Sequence, residues 1–239
     1  MDPEVEALRK PLTAADVARR AQILAAVTCR GHVESCLGDP SSEALHARIM
    51  AWLDACGLME ELEPVEREII LAPMGALSPQ QQVDTTWKVE GAAILAWALG
   101  KYPLAPHDAK VEPFKVAEAL GFLWDEAAQY VRFAQLRGRT ELNAYRNLVG
   151  AIHGRLREVE QRPQRDDVDR LIQPAWLRAL GLSRSNPVVE GDLAIDGQPL
   201  HRADPAVLRT IEEIVHERHR AAIWLTGQQA GYWTLTVDA

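Results

Sequence analysis

Apolar residues recur at spacings of three and four along most of this chain, and that periodicity predicts helices. Over 14–37 the apolar positions are Val17, Ile23, Leu24, Val27 and Val33. Thr13 stands before this run as an N-cap with Asp16 in the first turn, and Gly31 marks a point where the helix can break. Ser41 and Ser42 are expected to cap a second helix that carries Leu45, Ile49, Trp52, Leu53 and Cys56 on one face and closes at Gly57. Pro64 opens a short helix ending near Leu71, and Pro73 and Gly75 mark a loop. Ser78-Pro79-Gln80-Gln81 combines a cap, a first-turn proline and a glutamine three residues after the cap. The helix it opens runs to Leu99 and stops at Gly100. Helices are expected over 113–137 and 140–160, separated by Gly138, and over 206–226, opened by Asp204-Pro205.

Period-two alternation is confined to one place. Leu193-Ala194-Ile195 and Gln198-Pro199-Leu200 flank Asp196-Gly197, a dipeptide suited to a two-residue hairpin turn. Residues 161–186 are polar and proline-containing, with a short amphipathic piece at 176–180, and are expected to form a loop or insertion; residues 1–12 are expected to be a loose N-terminus. The resulting expectation is an all-α, mainly α, bundle-like fold: one domain over 1–239 with a minor β-hairpin near 192–201.

Composition narrows the function classes. The chain has 239 residues, 47% hydrophobic and 25% charged, enough for a substantial core. A net charge of −8 argues against a nucleic-acid partner, which needs a concentrated basic face. The basic clusters at 132–146 and 155–165 are interleaved with acids and polar residues and read as solvated helix faces. The start lacks a basic region followed by an apolar stretch, and the longest apolar run, 91–100, is about half of a membrane span of roughly 20 residues. Three cysteines do not make a disulfide framework, so a soluble cytoplasmic protein is expected, with no membrane partner.

Charge in the middle of apolar helices carries the most information. In the helix with Val83, Trp87, Ile94 and Trp97 on one face, Glu90 lies on that face and needs a cation or a raised pKa. The last helix provides one. Ile211, Val215, Arg218, Ala222 and Leu225 form a seam with Arg218 at its centre, and arginine can hold a carboxylate with two donors. A buried Glu90–Arg218 pair is therefore expected. Glu217 sits on the neighbouring seam with Ile214, Ala221 and Trp224 and competes for the cation. His216 and His219 share a helix face, but the order His-Glu-Arg-His departs from the metalloprotease motif, and no third ligand is obvious beyond His201 or Asp238. Cys29, His32 and Cys36 share one face of a continuous helix and Cys56 or His46 could complete a tetrahedral set, but zinc knuckles present their ligands from turns. No metal and no cofactor are expected. The seven tryptophans fall mostly at core spacings; Trp224 and Trp233, near the polar helix, are the exceptions.

Three stretches together resemble a known family. They are Val17-Ala18-Arg19-Arg20 through Val27 to Gly31; Trp87-Lys88-Val89-Glu90 with Leu95 to Gly100; and Glu217-Arg218-His219-Arg220 through Leu225, ending near Trp233 and Asp238. Their order and spacing are similar to those of the bacterial domain-of-unknown-function family numbered 4272. The resemblance implies a soluble, mostly helical bacterial protein and marks Trp87, Glu90, Glu217, Arg218, His219 and Trp224. Residues 161–186 and the tail Val237-Asp238-Ala239 depart from its pattern.

Two function classes follow. The leading expectation is a non-enzymatic accessory or interaction protein with a protein partner, since no specific catalytic constellation is present and an acidic surface can steer toward basic partners. The other is an enzyme or small-ligand binder with a pocket between the Trp87–Glu90 and His216–His219 helices. There Glu90 or Glu217 acts as base, Arg218 as anion clamp and His219 as proton shuttle, with Trp87, His216, Trp224 and Trp233 on the walls.

Overall fold

The computed structural model describes residues 11–159, 188–190, 192–227 and 231–237. The loop or insertion expected over 161–186, the piece at 176–180, Asp238 and most of the N-terminus lie outside these residues. Eight α-helices appear in them: α1 Ala14–Glu34, α2 Pro40–Ala55, α3 Pro64–Leu71, α4 Pro79–Ala98, α5 Pro113–Ala119, α6 Ala127–Arg132, α7 Arg139–Glu158 and α8 Pro205–Thr226. The fold is mainly α. The start signals act as expected: Thr13 with Asp16 and Ser78 with Gln81 each close a reciprocal capping box, and Asp204 accepts from Ala206 and Val207.

The fold is organised around α4. It packs against α1 on one side and α8 on another, and α7 lies along α8. From Lys88 to Ala98 every residue of α4 is buried, as expected of a helix enclosed on all sides. Its first turns emerge from the core: Val83, placed on the apolar face by periodicity, is exposed. Two glycines set the helix approaches. A Cβ on Gly31 would overlap the Thr85 hydroxyl of α4, so α1 continues through this glycine instead of breaking there. A Cβ on Gly91 would overlap the Tyr232 hydroxyl, so the segment 231–237 reaches α4 only because residue 91 has no side chain.

Two expectations require correction. The helix foreseen over 113–137 is split into α5 and α6 by a turn with positive φ at Gly121 and Leu123. The turn is held by side chains from other helices: Gln22 Nε2 donates to the Leu120 carbonyl at 3.1 Å and Trp52 Nε1 to the Trp124 carbonyl at 3.0 Å. Tertiary hydrogen bonds outweigh local helical periodicity there. The N-cap of α2 is Asp39, not Ser41 or Ser42. The hairpin is present and enlarged into a three-stranded antiparallel sheet of β1 Val188–Val189, β2 Asp192–Ile195 and β3 Gln198–Pro199. Its register pairs Val188 with Leu193 and Ile195 with Gln198, and Asp196 and Gly197 both take positive φ, as a primed turn requires.

The Gly91 contact generates a test. Gly91→Ala is expected to lower stability by about 1–3 kcal/mol through overpacking. The Tyr232 hydroxyl has no hydrogen-bond partner among the described residues, so Tyr232→Phe is expected to cost little by itself and to restore part of the loss in the double variant. Urea denaturation of the four proteins measures it; additive losses would show that the two groups do not meet.

Candidate functional site

The expected ion pair is formed. Arg218 of α8 donates from Nε at 2.9 Å and from Nη2 at 2.8 Å to the same oxygen, Oε2, of Glu90 on α4. Its other donors reach backbone carbonyls of the segment between α4 and α5: Nη1 to Ala105 at 3.3 Å and Pro106 at 2.7 Å, and Nη2 to Ala109 at 2.7 Å. A guanidinium has five N–H groups, and these bonds engage all of them. Glu90 Oε1 accepts from the Val111 amide at 3.0 Å. The pair thus clamps residues 105–111 onto two helices. Both side chains are buried, and the recess beside Arg218 measures only about 20 Å³.

Glu217, the competitor for Arg218, has a cation of its own. Lys88 Nζ donates to Glu217 Oε1 at 2.6 Å, and Arg220 lies 3.5 Å from the same oxygen. The Lys88 ammonium also sits 4.4 Å from the centroid of Trp233. Burial lowers the Lys88 pKa, and the Glu217 carboxylate opposes that shift. Trp233 is fixed on its far side, its Nε1 donating to Glu66 Oε1 at 2.8 Å, while Arg20 chelates Glu66 at 2.6 and 2.7 Å. Glu63 accepts from the amides of Tyr232 and Trp233. The segment 231–237 is therefore tied to the start of α3 by charge-assisted bonds and to α4 by the Lys88 ammonium on the Trp233 ring. Trp224 packs against Tyr232, and Trp87 lies under Lys110.

His216 and His219 meet a third histidine that the sequence reading did not single out, His153 of α7. The Nδ1 atoms of His153 and His219 are 3.1 Å apart, and the His216 ring lies edge-on to His153. One Nδ1 must donate and the other accept, so the two rings cannot both be protonated in this arrangement. Arg220 donates to His216 Nε2 at 2.9 Å, which keeps that nitrogen unprotonated. The pKa values of His153 and His219 are pushed down to about 4, chiefly by burial, with neighbouring histidines and Arg146 or Arg157 adding to the shift; that of His216 is lowered by burial and by Arg220. Among the described residues, no three or more His, Cys, Asp or Glu side chains are placed to hold a metal ion.

Three further buried or nearly buried charge pairs escaped the sequence reading: Arg20–Glu66, Arg30–Glu34 and Arg155–Asp192. Arg155 corrects the solvated-face reading of 155–165, since it is buried in a two-donor pair with Asp192 of β2 at 3.0 and 2.7 Å. Arg30 and Glu34 were readable, because an i, i+4 pair stands in an otherwise apolar stretch of α1.

A larger concavity than the recess beside Arg218 lies elsewhere. A cleft of about 590 Å³ opens between α1, α2, α4 and α5, and none of Glu90, Glu217, Arg218, His219, Trp87, His216, Trp224 or Trp233 lines it. Its floor is apolar, formed in part by Ala25, Val89, Ala92 and Val116. At its mouth stand Phe114, 80% exposed, and Trp124, 49% exposed. Trp124 had been counted among the core tryptophans; periodicity gave no sign of the outward Phe114. Cys29 and His32, considered above as zinc ligands, line this cleft, and burial raises the Cys29 thiol pKa to about 11, which makes it a poor nucleophile.

Comparison with known proteins supports the family expected from the sequence, over a range that holds the first two of the three stretches and most of 161–186 but not Glu217 to Trp233. A family model described as Domain of unknown function (DUF4272) matches residues 3–181, and the chain belongs to that family. No curated protein and no solved structure matches. Among the described residues, no helix is long and apolar enough to cross a membrane.

Two predictions follow from this geometry. Glu90→Gln and Arg218→Met should each cost about 3–5 kcal/mol, because each leaves a buried charged partner uncompensated; chemical denaturation checks this, and wild-type stability in both would refute the clamp. The histidines should make stability pH-dependent. Their folded pKa values lie below the ordinary 6.5, so the unfolded chain binds more protons. Their contribution is complete above about pH 6.5 and falls as the pH drops toward about 4. Replacing His153 and His219 by glutamine should flatten that part of the stability–pH curve; an unchanged slope would show that they do not titrate as described.

Proposed function

We propose that this is a non-enzymatic accessory protein of the cytoplasm that works by binding, and that its working surface is the cleft between α1, α2, α4 and α5. The observation that carries this reading is the contrast between two regions. The buried charged groups at the centre of α4 and α8, Lys88 with Glu217 and Glu90 with Arg218, are paired within the protein, with all five Arg218 donors occupied. The cleft, by contrast, combines an apolar floor with exposed Phe114 and Trp124 at its mouth. Exposed aromatic side chains beside a concave apolar surface are the usual anchors of recognition. Three free cysteines support the reducing compartment. Catalysis by Glu90, Glu217, Arg218 and His219 is the weaker reading, since a general base needs access to substrate and Glu90 and Arg218 are closed off by residues 105–111.

A photo-reactive phenylalanine analogue placed at position 114 tests the reading in intact cells. A discrete adduct is expected there and not from the same analogue at Leu71, which is also exposed but outside the cleft lining. The same products from both positions would contradict it.

A further inference from the structure

The cleft carries more detail than an apolar surface. Its volume, about 590 Å³, falls in the range of small-molecule sites rather than of extended protein interfaces. Ala25 of α1 and Ala92 of α4 both line the cleft, and their small side chains leave space that larger ones would fill. Thr28 is the decisive residue. It lines the cleft and is 4% exposed, yet its hydroxyl has no hydrogen-bond partner among the described residues. A buried hydroxyl left unpaired is costly, and valine would fill the same space without that cost. Thr28 lines the cleft, so a polar ligand bound there can supply the missing partner.

The charged groups select the ligand's polarity. His32 lies one helical turn beyond Thr28, on the same face of α1. Arg48 of α2 is steadied by one bond, from Nη2 to the Leu123 carbonyl at 3.2 Å, which leaves most of its fork for an anion. Glu118 also lines the cleft and disfavours an anion beside it. The arginine and the two neutral-or-positive donors, Thr28 and His32, outnumber it. Resting on the binding reading above, we propose that the cleft binds a small apolar carboxylic acid, its hydrocarbon body on the alanine floor and its carboxylate held by Arg48 and His32, with Thr28 donating from below.

Titration calorimetry with decanoate, and with decan-1-ol and decylammonium as neutral and cationic counterparts, tests this on the full chain. Decanoate is expected to bind at one site and more tightly than either counterpart. Arg48→Gln should weaken decanoate about tenfold, as loss of a charge-assisted bond does, and leave decan-1-ol unchanged. Glu118→Gln should tighten decanoate. Thr28→Val should weaken it about fivefold while raising the melting temperature, a combination that a purely structural threonine would not give. No decanoate binding, equal loss of all three probes in Arg48→Gln, or tighter binding of decylammonium would overturn the proposal. If decanoate fails while the analogue at position 114 captures a polypeptide, the acid is wrong and the binding reading stands; if both fail, both are wrong.

Discussion

A guanidinium in the middle of an apolar seam needs partners for every donor, and the architecture around Arg218 is the answer to that requirement. Glu90 supplies the charge from α4, and three carbonyls between α4 and α5 supply the remaining acceptors. One residue therefore fixes the spacing of α4 and α8 and the path of the chain that leads into α5. That path in turn positions Phe114 and the wall of the cleft. A buried pair of this kind adds little net stability compared with an apolar replacement, but once present it discriminates strongly against other arrangements.

The same logic recurs around the molecule. Lys88 and Glu217 join α4 to α8, Arg20 and Glu66 join α1 to α3, and Arg155 and Asp192 join α7 to the sheet. Each pair links elements that hydrophobic packing alone would allow to slide. Tyr232 and Trp233 close the arrangement by bringing the segment 231–237 onto Glu63, Glu66 and Gly91. The polar character of α8 thus serves assembly, while the cleft lies between α1, α2, α5 and another face of α4.

Helix positions were largely legible because caps and periodicity are local signals. Thr13, Ser78 and Asp204 announce their helices within four residues. The Glu90–Arg218 pair was legible for a related reason: each residue interrupts an otherwise apolar seam, and opposite charges on two seams have few alternatives to each other. Lys88 was hidden because α4 is buried all round, so its residues outside the apolar stripe gave no warning of burial. Arg155 was hidden because its partner, Asp192, lies 37 positions away in a strand. The split of 113–137 depends on Gln22 and Trp52 reaching it from other helices, and the cleft on residues of four helices meeting in space, and no single-helix pattern encodes that. Trp87, His216, Trp224 and Trp233, expected on the walls of a pocket, contact protein partners and do not line the cleft.

The central claim is that the Glu90–Arg218 clamp holds the segment between α4 and α5 and, through it, the cleft. Amide hydrogen exchange in the Glu90→Gln variant reads that segment directly. The account predicts that Val111 and its neighbours over 105–111 lose protection well before the middle of α4 or α8 does. Unchanged protection over 105–111, with loss only through global unfolding, would contradict it.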